Sequence, residues 1–304
     1  MQTDGLMADL KQMGQQTAST LKGGVEGAQQ AAARATHHAA PWLEALARFG
    51  YASKGVVYGT VGLLALSVAL GRGGATTDTK GALLRLQDLP AGTLLIWLLT
   101  LGLIGYALWQ LIRAALDPED QGHEAKGVVK RAGYAFSGVA NLGLAVFTAR
   151  LALAGNAARS QNSEDQVAGT VLNLPGGQLW LALGGLILLA VAANQLYVAY
   201  GAKFMKRVTF TDLPARTCDL LKRIGQVGIA SRGVLMVIMG VFALLAAWHR
   251  KASETVGIGE ALTWLRTQPS GNLLLGAVAL GTLCYGVWCV VQARYRRIRI
   301  EGAA

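Results

Sequence analysis

The chain has 304 residues, 53% hydrophobic and 15% charged, and its 28 Lys and Arg outweigh 17 Asp and Glu to give a net charge of +11. So few charges cannot cover a soluble domain of this length, which excludes an ordinary soluble enzyme or binding module and makes lipid the main solvent. The basic excess does not call for nucleic acid, because basic residues flanking apolar runs set topology and contact anionic lipid.

Residues 1–43 stand apart from the rest. Leu6, Leu10, Met13, Leu21, Val25, Ala28 and Ala32 fall near one helical face, while Gly14, Gly23, Gly24 and Gly27 weaken the helix. The segment lacks the continuous apolar core of a signal peptide. It is expected to be a mobile or amphipathic cytoplasmic arm on the membrane surface.

Six apolar runs follow, at roughly 55–71, 94–112, 133–154, 178–200, 227–248 and 272–291, each near the length of a hydrocarbon core and almost free of charge. They predict six transmembrane helices, hence an all-α integral membrane protein. A soluble bundle with buried central helices fits six such separate runs poorly.

The odd-numbered runs begin alike: RFGYASKG at 48–55, RAGYAFSG at 131–138 and QVGIASRG at 226–233. A second anchor, Pro90-Ala-Gly92, Pro175-Gly-Gly177 and Pro269-Ser-Gly271, follows Gly50, Gly133 and Gly228 at nearly constant distance. Each anchor opens an even-numbered helix, where the missing N–H and fixed φ of proline suit the first turn. Short apolar segments, 82–86, 170–174 and 261–265, precede the prolines and are expected at the membrane surface. The unit is therefore a two-helix repeat used three times, over 44–117, 127–203 and 222–300.

Twenty of the 28 Lys and Arg lie before the first run, between repeats or after the last, counting Lys54 and Arg232 as residues of the helix mouths. By the positive-inside bias the N- and C-termini of a multi-pass membrane protein face the cytoplasm. Two spans per repeat mean that all three repeats enter from the same side. Such parallel repeats can close around a pseudo-threefold axis. Mitochondrial carriers also have three two-helix repeats, but their odd-helix Pro-x-acid motif is missing, since all six prolines here fall outside the runs or at even-helix starts.

In lipid, helices associate through close backbone approach, which needs small residues. Gly50, Ala52, Gly55 and Gly59 of the first repeat are therefore read as packing residues, with Gly133, Ala135 and Gly138, and Gly228, Ala230 and Gly233, as counterparts. A phosphate cradle would need a strand-turn-helix context, which is absent. The polar residues at depth are Gln110, Asn141, Asn194, Gln195 and Ser67. Gln110, Asn141, Asn194 and Gln195 could line a central pathway or headgroup pocket, but interhelical hydrogen bonds, worth about 0.6 kcal/mol each, are the preferred reading. Arg150 is expected to snorkel to the interface.

The remaining chemistry is sparse. His37, His38, His123 and His249 have no second ligand at metal spacing, and Cys218, Cys284 and Cys289 read as small apolar fillers. Hydrolase, metalloprotease and P-loop motifs are missing, as is any Asp or Glu inside the runs of the kind that proton-coupled transporters use. No catalytic residue, metal or cofactor is expected.

The R-x-G-Y-A-x-x-G starts, the weaker third copy, and the helix ends GYALWQLIRA (105–114) and CYGVWCVVQA (284–293) give the chain a resemblance over about 44–300. It resembles a family of bacterial membrane proteins built of three tandem two-helix repeats, domain of unknown function 1206. The second repeat departs from its siblings, with Asn194 where they have Trp109 and Trp288. The resemblance implies a fold and a location in the bacterial inner (plasma) membrane but no activity. The sequence thus leads to a non-enzymatic membrane protein acting through helix packing, assembly or lipid interaction. Its expected partners are the bilayer, anionic lipids at the cytoplasmic face, and a second copy or another membrane protein. The alternative is a small channel or facilitator with its pathway between the hairpins, and an enzyme acting on lipid comes third.

Overall fold

A backbone in hydrocarbon has no water to bond, so each N–H must find a carbonyl within its own segment and the apolar runs fold as long helices. The computed structural model describes residues 42, 44–72, 76, 78–117, 122, 124–154, 164–210 and 213–296. Six helices are long and apolar enough to cross a membrane: α1 (Glu44–Ala69), α3 (Gly92–Leu116), α4 (Ala125–Ala154), α6 (Gly177–Tyr200), α7 (Ala215–His249) and α9 (Gly271–Tyr295). Short helices α2 (Thr79–Gln87), α5 (Glu164–Leu172) and α8 (Ile258–Thr267) join the two long helices of each repeat. Strand pairing among the described residues is confined to one isolated bridge, Val208 with Arg296. The chain is the six-span, all-α molecule that its sequence predicts. The predicted arm, residues 1–43 apart from Trp42, lies outside the described residues.

The odd-numbered spans start earlier than the apolar runs do. Hydropathy registers only the lipid-soluble part of a helix, whereas α1, α4 and α7 continue through polar and basic turns. At 1.5 Å per residue α7 is about 50 Å long, well beyond a hydrocarbon core of about 30 Å. Lys54 and Arg232, expected at helix mouths, consequently sit well inside α1 and α7.

The Pro-x-Gly anchors also differ in detail from expectation. The prolines stand two residues before the first helical residue, not in the first turn. The middle residue takes the left-handed conformation in all three copies, with φ of 60° at Ala91, 70° at Gly176 and 60° at Ser270. The next residue must be glycine, because a Cβ on Gly92, Gly177 or Gly271 would collide with the carbonyls of Gln87, Val171 or Arg266 at the end of the preceding short helix. This tight corner wedges the short helices between the long ones. Leu83 and Leu86 of α2 are buried with Val57, Ile96, Leu99 and Leu151, and Leu262 and Leu265 of α8 with Val61, Ala65, Leu235 and Leu275.

The seams between repeats are built three times from equivalent residues. A methyl group added at Gly55 would meet Val290 and the Gly286 carbonyl, one at Gly138 would meet Leu111 and the Ala107 carbonyl, and one at Gly233 would meet Leu196 and the Ala192 carbonyl. Two turns before these glycines, the residue two positions ahead of the Gly-x-Ala start caps the neighbouring even helix. Arg48 donates to the carbonyl of Ala293 at 2.9 Å, Arg131 to that of Ala114 at 2.8 Å, and Gln226 to that of Ala199 at 3.1 Å. These three carbonyls occupy the same repeat position. A side-chain donor there satisfies orphan carbonyls at a helix C-terminus, and a cation also complements the helix dipole. The arginine of the R-x-G-Y-A motif is thus a clamp between successive repeats.

The seams within repeats are built only twice. In the first repeat, a methyl group on Gly50 would lie 2.5 Å from Tyr106 Cβ, and Ser53 packs on Gly102. In the third, one on Gly228 would lie 2.5 Å from the Tyr285 nitrogen, and Ser231 packs on Gly281. In the second, Phe136 and Ile187 replace that serine and glycine, and both are exposed. Two large side chains bar the close approach. Among the described residues α4 packs along α3 and α6 along α7, with no extended contact between α4 and α6. The pseudo-threefold arrangement expected from the repeats is therefore not established.

Candidate functional site

Four residues beyond Gly50 and Gly228 stand Lys54 and Arg232, and sixteen beyond Pro90 and Pro269 stand Tyr106 and Tyr285. These are equivalent positions of the first and third repeats. The fold turns them into two cation-aromatic pairs: Lys54 Nζ is 4.1 Å from the Tyr106 ring centroid and Arg232 Cζ is 5.1 Å from that of Tyr285. Arg232 also donates to the Tyr285 hydroxyl at 2.7 Å. Tyr58 of α1 joins the pairs, since both cations lie 6.0 Å from its centroid and its ring meets Tyr285 edge-on at 4.9 Å. Tyr51 meets Tyr106 edge-on at 5.1 Å. In the middle repeat the corresponding residues are Ser137 and Val191, so the open hairpin contributes no such pair.

This centre has few ways to neutralise its charge. Lys54 is 7% exposed. Among the described residues no carboxylate lies within ion-pair distance of Lys54 or Arg232, Lys54 makes no hydrogen bond, and Arg232 makes the single one to Tyr285. Cation-π contact contributes about 2 kcal/mol or more when desolvated, well short of the cost of burying an isolated cation.

Beside the pair lies a cavity of about 150 Å³ lined by Tyr58, Arg232, Thr282 and Tyr285 and by the apolar Leu188, Leu235, Met236, Met239 and Ile258. That is far more space than one water needs. Polar groups from α1, α7 and α9 face apolar walls from α6, α7 and α8. The chemistry on offer is recognition of something with a polar and an apolar part.

The four polar residues singled out from sequence are not joined by hydrogen bonds among the described residues. Buried Gln110 accepts from Arg113 at 2.6 Å, and Arg113 stacks 3.6 Å from the Tyr134 ring of α4. Asn141 donates to the carbonyl of Ser137 on its own helix at 2.7 Å. Asn194 is exposed on α6 and Gln195 half-buried. Among the packing residues, Gly50, Gly55, Gly138, Gly228 and Gly233 meet neighbouring helices, and Gly59 receives Gly286 against its backbone. Ala52, Ala135 and Ala230 are half-buried. Gly133 is a correction: it is exposed and faces open space, because its own hairpin does not close.

Sequence reasoning missed Lys54, Arg232, Tyr58, Tyr106 and Tyr285. The signal was available in the repeat alignment, which places a cation and a tyrosine at matching positions in two repeats of three. Counting those cations as topology determinants concealed it.

The comparisons agree with this architecture. No solved structure matches the chain. A curated relative, "Uncharacterized protein YxxB" of Bacillus subtilis (strain 168), is 31% identical over 268 residues, covering 86% of this chain and 94% of the relative. The model of the family described as Domain of Unknown Function (DUF1206) matches three tandem stretches, 49–117, 132–202 and 227–296, which coincide with the three helical repeats. The chain belongs to the DUF1206 family.

Proposed function

We propose that this is a non-enzymatic polytopic protein of the inner membrane that acts through lipid interaction, holding the polar end of an amphiphile within its helix bundle. The observation that carries this reading is the cavity of about 150 Å³, in which Arg232, Tyr58 and Tyr285 face walls of Leu188, Met236, Met239 and Ile258. A lipid has that division between a polar and an apolar part, and pockets for such ligands are mostly apolar with a few placed polar groups. The unclosed middle hairpin gives a lipid a sideways approach that a sealed six-helix ring would deny.

Orientation follows from charge. The end bearing Arg48, Arg131, Lys203, Lys206, Arg207, Lys222 and Arg223 is placed in the cytoplasm, where these cations attract anionic headgroups. The exposed apolar faces of α4 and α6 are the surfaces offered to lipid or to a second membrane protein. A facilitator running between the hairpins draws less support, because Gln110 and Asn141 are engaged within their own helices.

Native mass spectrometry of the full chain released from gentle detergent tests the reading. One retained molecule of lipid mass per chain is expected. A protein that emerges bare after extraction from several membrane compositions would overturn it.

A further inference from the structure

We infer that the ligand is anionic and that Arg232 receives its acidic oxygens with the charge of Lys54 behind it, the chemistry being that of a phosphate-bearing lipid headgroup. This inference rests on the lipid-binding reading above and adds the ligand's charge and the residues that read it.

The argument starts from electrostatics. Two cations lie in each other's field, around one tyrosine ring, with no carboxylate in reach among the described residues. Like charges raise each other's energy where the dielectric is low, and buried charges in membrane proteins ordinarily meet opposite charges or backbone carbonyls. Aromatic faces offset part of this cost but leave the guanidinium, which has five N–H donors, using one of them in its bond to the Tyr285 hydroxyl. The guanidinium borders the cavity. An oxyanion there would accept from Arg232 in the forked geometry that suits phosphate, with the Lys54 ammonium as a second, point-like charge.

Position supports the same conclusion. Cations used merely to set topology would be solvated, as Lys222 and Arg223 are. Lys54 and Arg232 instead occur only in the two repeats whose hairpins close, each with its own tyrosine. The apolar walls of the adjoining cavity favour an acidic lipid over free phosphate. A zwitterionic headgroup would bring a cation of its own toward two others.

The test offers the full chain, in mild detergent, an equimolar mixture of phosphatidylglycerol and phosphatidylcholine, and counts tightly held lipid by native mass spectrometry. The wild type is expected to retain one phosphatidylglycerol with about tenfold or greater preference. K54M/R232M should lose that preference, K54R should keep it, and R72M/R266M, altered only at exposed cations of the opposite end, should leave it unchanged. Melting without added lipid guards against a folding defect. K54M/R232M is expected to melt no lower than the lipid-free wild type, since it removes one buried and one half-buried cation that lack a counter-charge.

Equal retention of both lipids by the wild type would overturn this inference and leave lipid binding standing. So would a K54M/R232M variant that melts well below the wild type, because the cations would then serve structure. Thermal stabilisation of the wild type, but not of K54M/R232M, by inorganic phosphate alone would support the anion site while rejecting a lipid source. Binding of neither lipid nor phosphate would overturn both readings.

Discussion

The first and third repeats differ from the second in one local respect that decides the rest. Where Ser53 meets Gly102 and Ser231 meets Gly281, the two helices of a repeat touch backbone to backbone; where Phe136 and Ile187 stand instead, α4 and α6 part. The apolar stretches of α1, α3, α7 and α9 are 44–56% buried, against 22% for α4 and 11% for α6. The middle helices remain attached through their neighbours, by the same glycine contacts and carbonyl clamps that serve the other repeats. A membrane hairpin therefore owes its closure to small residues at the contact and not to its connecting segment, which all three repeats possess.

The strongest way to break this comparison is to place bulk at equivalent glycines. Gly50→Leu and Gly228→Leu each force a side chain into Tyr106 or Tyr285 and are expected to cost about 3 kcal/mol or more, read as loss of the monodisperse, cooperatively melting species in detergent. Gly133→Leu, at the same repeat position, has free space and should change stability by less than about 0.5 kcal/mol. Equal damage at all three positions would show that the middle hairpin closes too.

A smaller effect sharpens the comparison between seams. Arg48→Ala and Arg131→Ala remove charged donors from helix-end carbonyls and should cost about 1.5–3 kcal/mol, whereas Gln226→Ala removes a neutral donor and should cost about 1 kcal/mol. The ranking can be read from midpoints of thermal unfolding in one detergent. A larger loss for Gln226→Ala than for either arginine would contradict the equivalence of the three clamps.

Much of the fold was legible because lipid imposes simple rules. Span length, the need for intrahelical hydrogen bonds and the small-residue starts fixed six helices in three repeats, and Gly55, Gly138 and Gly233 pack as their motif suggests. The site was not legible by the same rules. The apolar runs begin at 55 and 227, which left Lys54 and Arg232 near the helix mouths although their helices start at Glu44 and Ala215. The departure of the second repeat was visible at Asn194, but its structural effect comes from Phe136 and Ile187. A large apolar residue looks ordinary in an apolar run until the partner it displaces is known.

The central claim, that the middle hairpin is open while its siblings are closed, can be tested by disulfide trapping in lipid. Three paired substitutions in a background without native cysteine are required: Ser53→Cys with Gly102→Cys, Ser231→Cys with Gly281→Cys, and Phe136→Cys with Ile187→Cys. Efficient oxidative cross-linking is expected of the first two pairs, whose side chains meet, and none of the third, whose helices make no extended contact, because a disulfide tolerates only about 7 Å between Cα atoms. Cross-linking of the third pair as fast as the others would contradict the claim.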